Sequence, residues 1–250
     1  MRAQVSDALL PRAVKAKFWR KVCTYSNMDS LQIKQIASEE EFRLIHRMFL
    51  SLPAGKRTVT FAAPDRNTGC TWVTARAAAS LAAHTTASVC VVDANLRWPA
   101  LHNLFHAETC RCCGRNMNDR GLLQAVSRPG PIRQFIRPTE TANLWLLPSG
   151  GPVVETHQVL LSENMKRRFA ELAKEFDFVL VDTPAIKSSV DASLIGQLTD
   201  GAVLVVAAEE TRKNTAEDAR RALETANIPI FGAVLNKRTY PIPDALYRRI

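Results

Sequence analysis

At 250 residues and 27.7 kDa, with 46% hydrophobic residues, the chain suits one large α/β domain or a domain with an arm. It contains no uninterrupted apolar run of about 18 residues, which excludes a membrane-spanning helix of that kind, and its first residues show neither an apolar h-region nor a small-residue cleavage site, so a cytosolic protein is expected. A net charge of +9 is compatible with nucleic acid, anionic lipid or an acidic partner and selects none of them, while six cysteines in such a chain read as reduced thiols.

Residues 1–37 form a basic arm in which Arg12, Lys15, Lys17, Arg20 and Lys21 alternate with Val14, Phe18, Trp19 and Val22. The pattern fits docking on a membrane surface or a partner, and equally a solvated leader. A capped helix is expected over 38–50, with Ser38 and Glu41 in capping-box spacing and Phe42, Ile45, Met48 and Phe49 on its apolar side. Next come an apolar strand at 58–63, a tight loop at 64–69 and an alanine-rich helix opening at Cys70 or Thr71. Strand, loop and helix in that order make a phosphate-binding loop, where backbone N–H groups and the helix dipole converge on an anion. The pattern G-x-x-x-x-G-K-[ST] falls on PDRNTGCT, which keeps Gly69 and the hydroxyl of Thr71 but has Pro64 for the first glycine and Cys70 for the lysine.

Further along, 88–93 (SVCVVD) and 178–182 (FVLVD) are buried-strand patterns that end in Asp93 and Asp182. Carboxylates at strand ends lie where open α/β sheets hold their ligands. A helical turn is expected at 121–126, a strand at 143–148, one helix over 157–174, and strands at 202–208 and 229–236 flanking a helix at 213–226. A short terminal helix is expected at 243–250. The alternation predicts a mostly parallel sheet with helices on both faces. Cys110, Cys112 and Cys113 lie in a loop pattern whose C-x-C-C spacing fits a structural zinc site poorly, even with His102 and His106 near. Trp98 and Phe105 read as packing residues.

From about Glu40 onward, the chain resembles the bacterial tyrosine-kinase branch of the MinD/ParA-like P-loop ATPases, the cytosolic kinases of capsule and exopolysaccharide synthesis. VVDANLRWPALHNLF and FDFVLVDTPAI carry most of the likeness, with EEFRLIHRMFL, LWLLPSGG and IPIFGAVLNKR in support. The resemblance implies a P-loop NTPase-like domain over 38–250 that binds ATP through Asn67, Thr68, Gly69, Cys70, Thr71 and Asn236. It implies Mg²⁺ at Thr71, Asp93 and Asp182, the two aspartates being the catalytic pair. It also implies a transmembrane polysaccharide co-polymerase as partner, self-association through the helix from Glu40 to Leu50, a place at the inner face of the plasma membrane, and no nucleic acid.

The departures lie at the chemistry. A neutral thiol at Cys70 supplies no fixed positive charge to a triphosphate. Asn95 stands where the resemblance expects a second aspartate, and only Tyr240 and Tyr247 remain of a tyrosine-rich tail. Reduced or absent kinase activity is therefore expected. Two alternatives stay open: an active kinase with Arg66 as substitute clamp, and a non-catalytic module docking on the co-polymerase.

Overall fold

The computed structural model of the protein describes residues 58–105 and 120–237, together with Phe49. Among the described residues, no helix is long and apolar enough to cross a membrane. Of the helix expected at 38–50, Phe49 is described: it is helical and 5% exposed, and its ring meets that of Phe178 edge-on at 5.7 Å. The basic arm, the boundary at 37/38, the cysteines at 110, 112 and 113, and the helix at 243–250 lie outside the described residues.

Seven strands form one sheet: β1 (Thr58–Ala62), β2 (Val89–Asp93), β3 (Arg137–Pro138), β4 (Leu144–Leu147), β5 (Phe178–Asp182), β6 (Gly201–Ala207) and β7 (Ile230–Asn236). Their order is β3-β4-β2-β5-β1-β6-β7, parallel throughout except for the β3–β4 edge pair. The parallel strands read as apolar runs because both faces are covered. On β2, Val89 and Val91 face a core with the alanine-rich helix Cys70–His84, whereas Cys90 and Val92 face a second core with the helix Glu163–Glu175. Alanines at 75, 77, 78 and 82 favour the first helix intrinsically and are short enough to bury it against the sheet.

The single helix expected at 157–174 is two, His157–Leu160 and Glu163–Glu175. The break is at Ser162, whose hydroxyl accepts from Met165 N at 3.2 Å and donates to Val159 O at 2.7 Å. A serine that can cap a new helix outcompetes continuation of the old one. Sequence patterning also passed over the short helices Leu101–Leu104 and Asp191–Gly196, which have too few residues to show a period.

Arg168 ties the second face together. It is 3% exposed; its guanidinium donates to the carbonyls of Ala125 (2.6 Å), Gly130 (2.8 Å) and Arg128 (2.9 Å) and to Glu171 (2.7 Å). This fork ends the helix Leu122–Ser127 by occupying carbonyls that would otherwise be orphaned. Replacing Arg168 with alanine strands those acceptors, and we expect a loss of about 3–5 kcal/mol in urea unfolding. A loss below about 1 kcal/mol would show that water replaces the fork at no cost.

Candidate functional site

The strand order sets β1 beside β5; from β1 the chain crosses to β2 and from β5 it crosses the opposite way to β6, which opens a crevice at the carboxyl ends of these central strands. Three features meet there: the 63–69 loop after β1, Asp93 at the end of β2 and Asp182 at the end of β5. Asp93 and Asp182 are direct partners in the β2–β5 register, and neither is exposed to solvent.

Two left-handed residues shape the loop, Asn67 (φ 63°) and Gly69 (φ 82°). Asparagine tolerates that region better than most residues, which is how the turn survives without a glycine at 67. At Gly69 a Cβ would meet Asn236 Nδ2, so a side chain there would push the Asn236 amide off Thr68 in addition to bearing the strain of a positive φ. The helix Cys70–His84 starts directly after Gly69 with no side-chain cap and no acid in its first turn. Its uncapped amides border a cleft of about 710 Å³, lined by the loop, Cys70, Thr71, Asn95, Trp98, Asn103 and the turn Thr183–Ala185. That volume is in the range of small-molecule sites.

Thr71 is one residue inside the helix rather than its N-cap, and its hydroxyl donates to Asp182 Oδ2 at 2.7 Å. Asp182 Oδ1 is buried without a hydrogen-bond partner among the described residues. An orphaned carboxylate oxygen beside a threonine hydroxyl suits a hard cation that takes few protein ligands and completes its shell with water and phosphate. Asp93 is differently engaged: Oδ2 accepts from the N–H groups of Ala100 and Leu101, both at 3.0 Å, and Oδ1 from Asn95 N at 3.3 Å. It organises the loop after β2 from beneath; both aspartates lie behind the residues that line the cleft, and Asp182 is joined to that lining through Thr71. Among the described residues, no three His, Cys, Asp or Glu side chains gather as a metal site.

Burial raises both acids. Asp93 is pushed up to about 7 against the pull of its three N–H donors, and Asp182 is raised by burial and then by the neighbouring Asp93 charge. Burial and Asp182 together push the Cys70 thiol well up, so at neutral pH it is a neutral thiol and not an activated nucleophile.

The remaining sequence candidates fall into place around this floor. The Asn236 amide donates to Thr68 O at 2.8 Å, strapping the loop to edge strand β7; its side chain is not in the cleft lining. Trp98 is 48% exposed at the cleft, not packed in the core, because the turn after Asp93 directs it outward. Phe105 does pack against the core. Arg66 is exposed, lines the cleft, and lies over the Trp98 indole with Cζ 3.3 Å from the ring centroid. Sequence reading missed the tie that holds the 94–100 loop from the far side. There Arg97 donates to buried Asp191 (2.9 Å), to Thr156 Oγ1 (2.9 Å) and to Val154 O (3.0 Å). Nothing in the spacing of 97, 156 and 191 signals it.

No protein-family model matches the chain. It is 29% identical over 210 residues to tyrosine-protein kinase YwqD of Bacillus subtilis (strain 168), covering 84% of this chain and 81% of that protein. It is 28% identical over 147 residues to the putative tyrosine-protein kinase CapB of Staphylococcus aureus, covering 59% and 60% respectively. It is 24% identical over 215 residues to tyrosine-protein kinase ptk of Acinetobacter johnsonii, covering 86% of this chain but only 27% of that one. The chimerical protein CapA2B2 superposes with a TM-score of 0.74 at 22% identity, over 86% of this chain and 91% of that chain. The septum site-determining protein MinD of Pyrococcus horikoshii, complexed with Mg-ADP, superposes with a TM-score of 0.58 at 21% identity, over 78% and 76%. At such identities the structural likeness concerns the fold.

The acid pair sets a pH dependence. An unfolded aspartate titrates at about 3.9, so between there and the folded value of Asp93, about 7, the folded protein binds the extra proton. Stability in the absence of divalent cations should therefore fall as pH rises through this window, by up to about 1.4 kcal/mol per pH unit for each proton. Urea midpoints in chelator measure it: the slope should flatten in Asp182→Asn, and a midpoint that rises with pH in the wild type would contradict the buried-pair account.

Proposed function

Taking as premise that the chain is a homologue of the bacterial tyrosine-protein kinases, on a P-loop fold shared with MinD, we propose that it is a tyrosine-kinase-like nucleotide-binding protein of capsule or exopolysaccharide synthesis, with phosphoryl transfer reduced or lost. The observation that carries this reading is the Thr71–Asp182 contact at the mouth of an uncapped helix whose preceding loop is held open by two left-handed residues.

In this reading the amides of Asn67 to Thr71 cradle the phosphates of ATP, and Thr71 and Asp182 hold Mg²⁺ with Asp93 behind them. An ion held by these residues would supply positive charge against the phosphoryl group in transfer. Cys70 takes the clamp position and brings no charge to it. Losing one such electrostatic contact costs on the order of 10²–10³ in rate, and Asn95 in place of a carboxylate removes a ligand or base as well. Asn236 serves by fixing the loop carbonyl at Thr68.

The partner we assign is a transmembrane polysaccharide co-polymerase, reached through residues 1–37 and the segment 40–50, at the inner face of the plasma membrane. The same segment is assigned to self-association.

Calorimetry with MgATP and MgADP tests the nucleotide reading. We expect measurable but weak binding to the wild type, and Cys70→Lys, which sets an ammonium beside Asp182, to tighten it about tenfold or more. Tyrosine phosphorylation by the purified wild type should stay at least about 10² below the 1–100 s⁻¹ of ordinary kinases. Absence of heat with both proteins, alongside retained binding to a co-polymerase, would replace this reading with that of a docking module. Full kinase turnover would overturn the loss of function.

A further inference from the structure

The cleft lining has a lopsided charge distribution. Its floor is underlain by two buried carboxylates, and its wall carries Asp65, itself paired with Lys187 at 3.4 Å. Among the described residues that line it, Arg66 alone is positively charged. A polyphosphate entering this space meets the amides of the helix start, and the only side-chain cation in the described lining stands at the rim. That cation lies over an exposed indole, Cζ 3.3 Å from the Trp98 ring centroid. The main chain under Trp98 is held: its backbone N–H donates to Asn95 Oδ1 at 3.3 Å, and the same loop is anchored through the backbone N–H groups of Ala100 and Leu101 on Asp93.

Resting on the nucleotide reading above, we propose that Arg66 is the cation that meets the terminal phosphates of the bound nucleotide in place of the absent lysine, and that Trp98 is the positioning residue that stores its guanidinium at the cleft mouth until a phosphate takes it. An arginine fork suits this exchange. Its planar face stacks on an aromatic ring while its edge keeps donors free, and those donors match phosphate oxygens two at a time. A guanidinium–indole contact at an exposed site is weak enough to yield to a charge-assisted bond with phosphate. The exchange also gives the protein a conditional clamp, whereas a lysine at 70 would be fixed inside the cradle.

The test uses the full chain, titrated in Mg²⁺ with ADP, with inorganic pyrophosphate and with adenosine, and followed by calorimetry and tryptophan emission. Arg66→Ala should weaken ADP and pyrophosphate about ten- to a hundredfold and leave adenosine unchanged. Arg66→Lys should fall between, and Cys70→Lys placed in the Arg66→Ala background should restore the phosphate ligands. Wild-type emission should change on adding pyrophosphate, and that change should vanish in both Arg66→Ala and Trp98→Phe, which assigns it to this indole among the four tryptophans. Arg66 is exposed, so circular dichroism of the variants should match the wild type. If the wild type binds ADP and Arg66→Ala binds it equally, the clamp proposal is overturned and the nucleotide reading stands. If the wild type binds neither ADP nor pyrophosphate, both fall. An emission change that persists in Trp98→Phe removes Trp98 from the account.

Discussion

Two carboxylates lie side by side at the ends of neighbouring parallel strands, both out of water, and among the described residues no lysine or arginine pairs with either. The β2–β5 register puts Asp93 against Asp182 as a direct consequence of where each strand begins, so the pair cannot separate without a slip of the central sheet. A buried like-charged pair is tolerated in one of two ways: by holding protons, or by holding something positive. The three N–H donors on Asp93 fix one member, and the Thr71 hydroxyl meets half of the other. What is left over is Asp182 Oδ1, which has no hydrogen-bond partner among the described residues and only the Cys70 thiol and the Thr183 backbone near enough to ease its carboxylate. The loop, the helix start and the outward turn at Trp98 are all arranged around that point.

Seen from that floor, the thiol at 70 is a change of charge more than of shape. Cys70 is buried, begins the helix as a lysine there would, and leaves the loop's left-handed residues undisturbed. The scaffold for phosphate therefore persists while its counter-charge moves outward to the rim. A site altered in this way loses rate before it loses affinity, because backbone amides bind ground state and transition state alike, whereas a fixed cation favours the state with more developed charge.

Much of this was legible in the sequence because the informative residues are the ones that punctuate strands. Apolar runs ending in Asp93 and Asp182, and the Asn-Thr-Gly turn before an alanine helix, located the strand ends and the crevice almost to the residue. The break at Ser162 was lost because the flanking apolar positions keep helical spacing across it, and only the hydroxyl's bonds reveal the new cap. Trp98 was misread as core because large apolar residues usually are, and exposure is decided by the turn that Asp93 imposes seven residues before Ala100. The Arg97–Asp191 pair joins positions 94 residues apart, a contact that one sequence has no means to show.

The strap between Asn236 and Thr68 spans 168 residues of chain. On a polypeptide made from its amino end, the start of the phosphate cradle can be tied by Ile186 and Lys187, but its far end at Thr68 gains this strap only when the seventh strand has docked on the sixth. Competence of the pocket is thus tied to completion of the domain: a nascent chain that stops short of that edge strand carries the loop but lacks the fastening at its far end.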